Sequence, residues 1–210
     1  MKQTNIRSVA AFVGCIATFG AANAVVLDPF TTVQAGGGAG APWSSISSSL
    51  FAERRVQRFN DSTASVGSGA WTFAFTKTGG TANLAYRQNS SFSTIDLSGI
   101  ASMSFDIAVT GTVNLNWYLE DQNSANLIQF GALVPVTGTG TQTLNFSTAT
   151  IDPGFDLSAV TGMTVQFFTV SQTANATVSN FTYEAVPEPA TMATLGLGAV
   201  ALVRRRRLKS

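Results

Sequence analysis

Thr112-Val113-Asn114-Leu115-Asn116-Trp117-Tyr118-Leu119-Glu120 decides how the chain reads. Val113, Leu115, Trp117 and Leu119 alternate with Asn114, Asn116, Tyr118 and Glu120, a period of two that marks a β-strand with one buried and one wet face. The same parity runs just upstream, where Met103, Phe105, Ile107 and Val109 alternate with Ser104, Asp106, Ala108 and Thr110. Farther back, in residues 70–77, Trp71, Phe73 and Phe75 share one side. Residues 120–126 form a polar turn before the apolar run 127–133, which predicts a hairpin. Residues 141–146, 163–170 and 176–184 read as further strands, for a total of about nine. Residues 47–59 admit a helix in which Ser49 caps Glu53, although 54–59 is better read as a strand. The glycine-rich run 36–42 reads as a loop. Helical periodicity is otherwise lacking, so the body predicts an all-β, jelly-roll-like antiparallel β-sandwich.

That body spans residues 25–185, long enough to bury a real core. The chain's formal charge of +1 hides a division of sign. Within 25–185 there are five basic residues (Arg54, Arg55, Arg58, Lys77, Arg87) and ten acidic ones, a net of −5. A mildly acidic body argues against nucleic acid, which needs a basic surface to release counterions. The basic excess belongs to the two ends.

Residues 1–24 have the parts of a secretory signal peptide: Lys2 and Arg7, an apolar stretch over 9–19, and Ala22-Asn23-Ala24 as a small-x-small site for signal peptidase. Residues 12–15 offer a competing, degenerate lipobox with Cys15 as the lipidated residue. Cleavage before Val25 removes Cys15, the single cysteine of the chain, so the mature body has neither disulfide nor thiol chemistry.

The opposite end, 186–210, has three parts. Pro187, Glu188 and Pro189 form a stiff extended strip that no helix enters. Residues 190–203 are uncharged, and as a helix they reach about 21 Å against a hydrocarbon core of about 30 Å. Arg204, Arg205, Arg206 and Arg207 then act as a membrane stop held on the cytoplasmic side. This order of proline motif, short apolar helix and arginine cluster resembles the PEP-CTERM sorting signal of bacterial envelope proteins. The resemblance implies an exosortase that removes the tail after transient anchoring in the inner membrane, and delivery to the cell surface or an exopolysaccharide (biofilm) matrix. An uncleaved C-terminal anchor is the competing reading, and the mass of the mature protein separates the two.

The body itself resembles the galactose-binding-like sandwiches of carbohydrate-binding modules. The likeness is carried by residues 26–30, 96–100 leading into 103–106, 155–163 and 178–181. That family usually has Asp where Asn180 stands here, a departure that weakens any calcium or ligand role the resemblance implies at that position.

The chain has no histidine, which with the loss of Cys15 rules out Ser-His-Asp triads and His or thiolate metal sites. Two carboxylates suffice for glycoside hydrolysis, with Asp106, Glu120 and Asp121 as the candidates, although solvated face and turn residues are the preferred reading of all three. No cofactor is called for. The oxygen-rich stretches 120–126 and 152–156 offer hard ligands for a structural calcium ion, without EF-hand spacing to place one. Sugar binding needs aromatic rings together with amides or carboxylates. Asn114, Asn116, Tyr118 and Glu120 supply that chemistry, with Asp106, Gln166 and Trp43 as further candidates. The expectation is a non-catalytic envelope or matrix protein that binds glycan; a purely structural matrix role is the alternative.

Overall fold

A computed structural model describes residues 24–122, 127–129, 134–169 and 173–186. The signal-peptide residue Ala22, the motif Pro187-Glu188-Pro189, the arginines 204–207, the turn residues 123–126, and positions 130–133 and 170 of the expected strands lie outside the described residues. The strands are β1 (Val25–Asp28), β2 (Gln34–Ala35), β3 (Ser44–Ser45), β4 (Glu53–Phe59), β5 (Ser62–Gly67), β6 (Ala70–Phe75), β7 (Thr81–Arg87), β8 (Ile100–Asp121), β9 (Leu127–Gln129), β10 (Val134–Asn145), β11 (Thr150–Ile151), β12 (Val160–Thr169) and β13 (Ala174–Ala185). Two single-turn 3-10 segments, Phe146–Thr148 and Leu157–Ala159, complete the regular structure. Among the described residues no helix is long and apolar enough to cross a membrane.

All the strand pairings are antiparallel, and the backbone order runs β2-β5-β6-β13-β8-β12-β7-β4-β3. β4 forms where the strand reading of residues 54–59 preferred it over a helix. The two strands expected at 102–110 and 112–120 are one strand of 22 residues. Its first half pairs with β13 and its second half with β12. Phe105 and Trp117, twelve positions apart, would sit about 40 Å apart on a straight strand, yet their ring centroids lie 5.2 Å apart. β8 therefore bends over and passes from the first sheet of the sandwich, beside β13 and β6, to the second, beside β12, β7 and β4.

The bend falls at Gly111, which has φ 92, and β10 bends alongside it with a register shift between Val136 and Gly138. A Cβ at Gly111 would stand 2.8 Å from the carbonyl oxygen of Thr173, so both the left-handed backbone and the close approach demand glycine. The inward residues of the two sheets meet in an aromatic core. Phe73 stacks on Phe167 at 4.8 Å and Trp71 lies 5.5 Å from the same ring. Phe181 contacts Trp117, Phe105 and Tyr86 at 5.4–5.8 Å. The sequence-predicted inward series of all three aromatic or aliphatic runs is buried as expected.

β13 is bonded along its length to β8, and β1 lies on its other side with Val25 opposite Tyr183. Beneath the second sheet, Arg54 and Asp28 form a salt bridge of 2.7 Å at 0% and 1% exposure. Asp28 also accepts from Tyr86 Oη at 3.0 Å and from the Phe30 amide at 2.8 Å. Arg54 further donates to the Thr32 carbonyl at 2.7 Å and to Gln34. Every charge in this cluster has a partner, which is the condition for burying it.

Candidate functional site

The outward residues of β4, β7, β12 and β8 fall into cross-strand rows. One row is Gln57, Asn83, Gln166 and Asn116, an amide from each strand. Asn116 Nδ2 donates to Gln166 Oε1 at 3.4 Å, Gln166 Nε2 donates to Asn83 Oδ1 at 3.1 Å, and Gln57 Nε2 donates to the Ala39 carbonyl at 3.3 Å. The next row is Arg55, Ala85, Thr164 and Tyr118, and the one after it Glu53, Arg87, Gly162 and Glu120.

Small residues at the centre of these rows, flanked by long ones, leave a hollow of about 130 Å³. Ala85, Gly162 and Thr164 floor it, Arg55 and Gln57 stand on one wall, and Tyr118 and Glu120 stand on the other. Two loops supply a rim. Trp43, just before β3, lays its ring 3.9 Å from the guanidinium of Arg87 and 4.6 Å from that of Arg55. Phe92, 52% exposed and held at φ 53 in a loop organised by Asn89, sits 5.2 Å from Arg87 on the loop after β7. Glu53 fixes Arg87 by a 2.6 Å salt bridge.

The electrostatics of the two walls differ. Burial, and then the charge of Arg87, lowers the Arg55 pKa. Burial raises that of Glu120, opposed by the field of Arg55. Tyr118 is raised by burial as well. The Glu120 carboxylate leans over Gly162, its Oε2 lying 3.9 Å from where a Cβ would be. Neither the Glu120 carboxylate nor the Arg55 guanidinium forms a hydrogen bond with the protein among the described residues, and Arg55 Nε is buried without a partner.

The structure brings together only part of the sequence-derived set. Tyr118, Glu120 and Trp43 line the hollow, and Asn116 and Gln166 form the amide row at its side. Asn114 pairs with Phe168, two positions from that row. Asp106 sits on the first half of β8, in the other sheet. There its carboxyl accepts from Thr141 and Asn180, both at 2.7 Å, which pulls its pKa down. Asn180 thus binds a neighbouring side chain. The three carboxylates proposed for hydrolysis are dispersed: Glu120 faces the hollow, Asp121 is 1% exposed on the opposite side of the strand, and Asp106 belongs to the other sheet. Of the calcium stretches, Asp156 caps the second 3-10 segment through Ser158, and no cluster of three acidic residues forms among the described residues. Arg55, Gln57, Asn83, Arg87, Gly162 and Phe92 were not singled out in the sequence. The outward parity of 53, 55 and 57 was the available signal, but which strands lie beside it was not.

Residues 185–207 match the PEP-CTERM protein-sorting motif. The chain carries an exosortase address. No curated protein matches the chain. Among solved structures, a carbohydrate-binding module described as specific for non-crystalline cellulose aligns at TM-score 0.48 and 15% identity, covering 78% of this chain and 95% of that one. A family 11 carbohydrate-binding module of a Clostridium thermocellum cellulosomal cellulase aligns at TM-score 0.44 and 14% identity, covering 80% and 99%. An agarase aligns at TM-score 0.49 and 13% identity over 80% of this chain, which spans only 26% of the agarase's length. The PEP-CTERM motif marks the chain as exported and processed by an exosortase.

Proposed function

We propose that this PEP-CTERM protein is a non-catalytic glycan-binding protein of the cell envelope or exopolysaccharide matrix, and that it binds through the hollow on the outer face of the second sheet. Signal peptidase frees Val25, the apolar tail holds the chain briefly in the inner membrane, and the exosortase then releases the body. The observation that carries the binding role is the content of the hollow. Aromatic surface from Trp43, Phe92 and Tyr118 borders a small-residue floor beside an amide row. Sugars present apolar C–H faces to rings and hydroxyls to amides and carboxylates, and this site supplies both kinds of surface.

Affinity electrophoresis of the exported protein through gels containing the host's exopolysaccharide tests this reading. Retardation is expected, and Trp43→Ala or Tyr118→Ala should restore free mobility. Equal mobility with and without polysaccharide would overturn it. Mass spectrometry of the surface-retained protein should show both ends removed, whereas an intact chain of 21.9 kDa at the surface contradicts the processing route.

A further inference from the structure

Resting on that reading, we infer that the hollow selects a carboxylate-bearing sugar, the uronate unit of an acidic polysaccharide, and that Arg55 is the residue that determines this choice. Five basic side chains lie among the described residues. Arg54 is paired with Asp28, Arg87 with Glu53 and Lys77 with Asp61, and Arg58 donates to two backbone carbonyls. Among the described residues Arg55 alone has no acceptor, and its Nε is buried. The terminal nitrogens of its fork are not buried and the residue lines the hollow, so a ligand can supply the acceptor that the protein does not.

The neighbourhood narrows the ligand. The charge that weighs most on Arg55 is a second cation, Arg87, ahead of the opposing Glu120, and the anion of Arg87 is already committed to it. A guanidinium presents a planar fork that matches a carboxylate with two parallel hydrogen bonds, a geometry that a lone hydroxyl does not use. The opposite wall carries the Glu120 carboxylate, which repels an anion charged on all sides, such as sulfate, and accepts hydroxyl protons instead, with the Tyr118 hydroxyl beside it. A uronate has this same division, with its carboxylate on one edge of the ring and hydroxyls on the other. At about 130 Å³ the hollow lies well below the size of pockets that enclose drug-sized ligands, so it accommodates one sugar unit at a time.

The decisive experiment is calorimetric titration of the exported protein with an oligogalacturonate and with its carboxyl-reduced counterpart, which keeps ring, linkage and length but loses the charge. Host exopolysaccharide is run in parallel. The acidic oligomer should bind about tenfold or more tightly than the reduced one, the range expected of a hydrogen bond to a charged group, and the preference should shrink as salt is raised. Arg55→Gln should bring the two oligomers to equal affinity by weakening only the acidic one, while Arg55→Lys keeps part of the preference. Equal binding of both oligomers to the native protein overturns the inference and leaves glycan binding standing. So does an Arg55→Gln loss that is the same for both. Retention of host polysaccharide with no binding of either oligomer overturns the uronate assignment alone, and loss of host binding as well removes both readings.

Discussion

Arg54 and Arg55 are neighbours in sequence and opposites in every other respect. β4 turns one guanidinium inward and the next outward, so the same side chain is read in two environments one residue apart. Arg54 is fully buried and meets a carboxylate, a carbonyl and an amide oxygen. Arg55 is half-buried and meets an indole ring, a second cation and, among the described residues, no acceptor. The first pattern is that of a group serving the fold, since a buried charge persists only when it is fully compensated. The second is that of a group whose partner comes from outside.

The largest test of this contrast concerns stability. Arg54→Met should cost about 3–5 kcal/mol, because it strands Asp28 in the core, and adding Asp28→Asn should recover much of the loss in urea denaturation. Arg55→Gln should change the stability read from the same denaturation by less than about 0.5 kcal/mol, as for other surface positions. A loss from Arg55→Gln comparable to that from Arg54→Met would break the comparison.

A smaller effect is expected at the floor of the hollow. Gly162 has no left-handed backbone requirement, and an added Cβ would meet only the Tyr86 carbonyl at 3.4 Å and Glu120 at 3.9 Å. Gly162→Val should therefore fold normally, fill the space a sugar would take and abolish retardation on exopolysaccharide. Retained binding by a folded Gly162→Val variant would place the glycan elsewhere.

The smallest effect concerns Glu120. Its folded pKa is raised by burial, so its favourable contribution is complete below the unfolded value and disappears as pH rises through the folded one. Native protein should consequently lose stability relative to Glu120→Gln as pH rises above the ordinary glutamate value of about 4.3, by about 0.5 kcal/mol or less given its partial exposure. A melting-temperature difference that stays flat over this range would refute the burial of that carboxylate.

Much of the sandwich was legible because parity is a local signal. The series through Val113, Trp117 and Phe105 assigns inward faces without knowledge of any neighbour. The merging of two expected strands into β8 was not legible, because Gly111 as a letter marks a turn as readily as a bend. Only the opposed contacts of Phe105 and Trp117 distinguish them. The site was half legible for a related reason. Tyr118 and Glu120 declare an outward face on their own strand, whereas their partners Arg55 and Gln57 come from a strand more than fifty residues earlier, joined through β7 and β12. β7 itself gives a weak pattern, because its outward Ala85 is apolar and serves as floor. Asp106 shares parity with Glu120 along β8 but not a surface, since the bend carries the two halves into different sheets.

The last strand also determines how this body bears tension. Were the chain held from beyond Val186 while force acted at the hollow, the load would run along β13, whose pairing with β8 extends from Asn175 to Ala185. Force in that direction shears many rungs together, whereas pulling Val25 away from Tyr183 would unzip β1 one rung at a time. The C-terminal end is thus the sturdier point at which to load the sandwich.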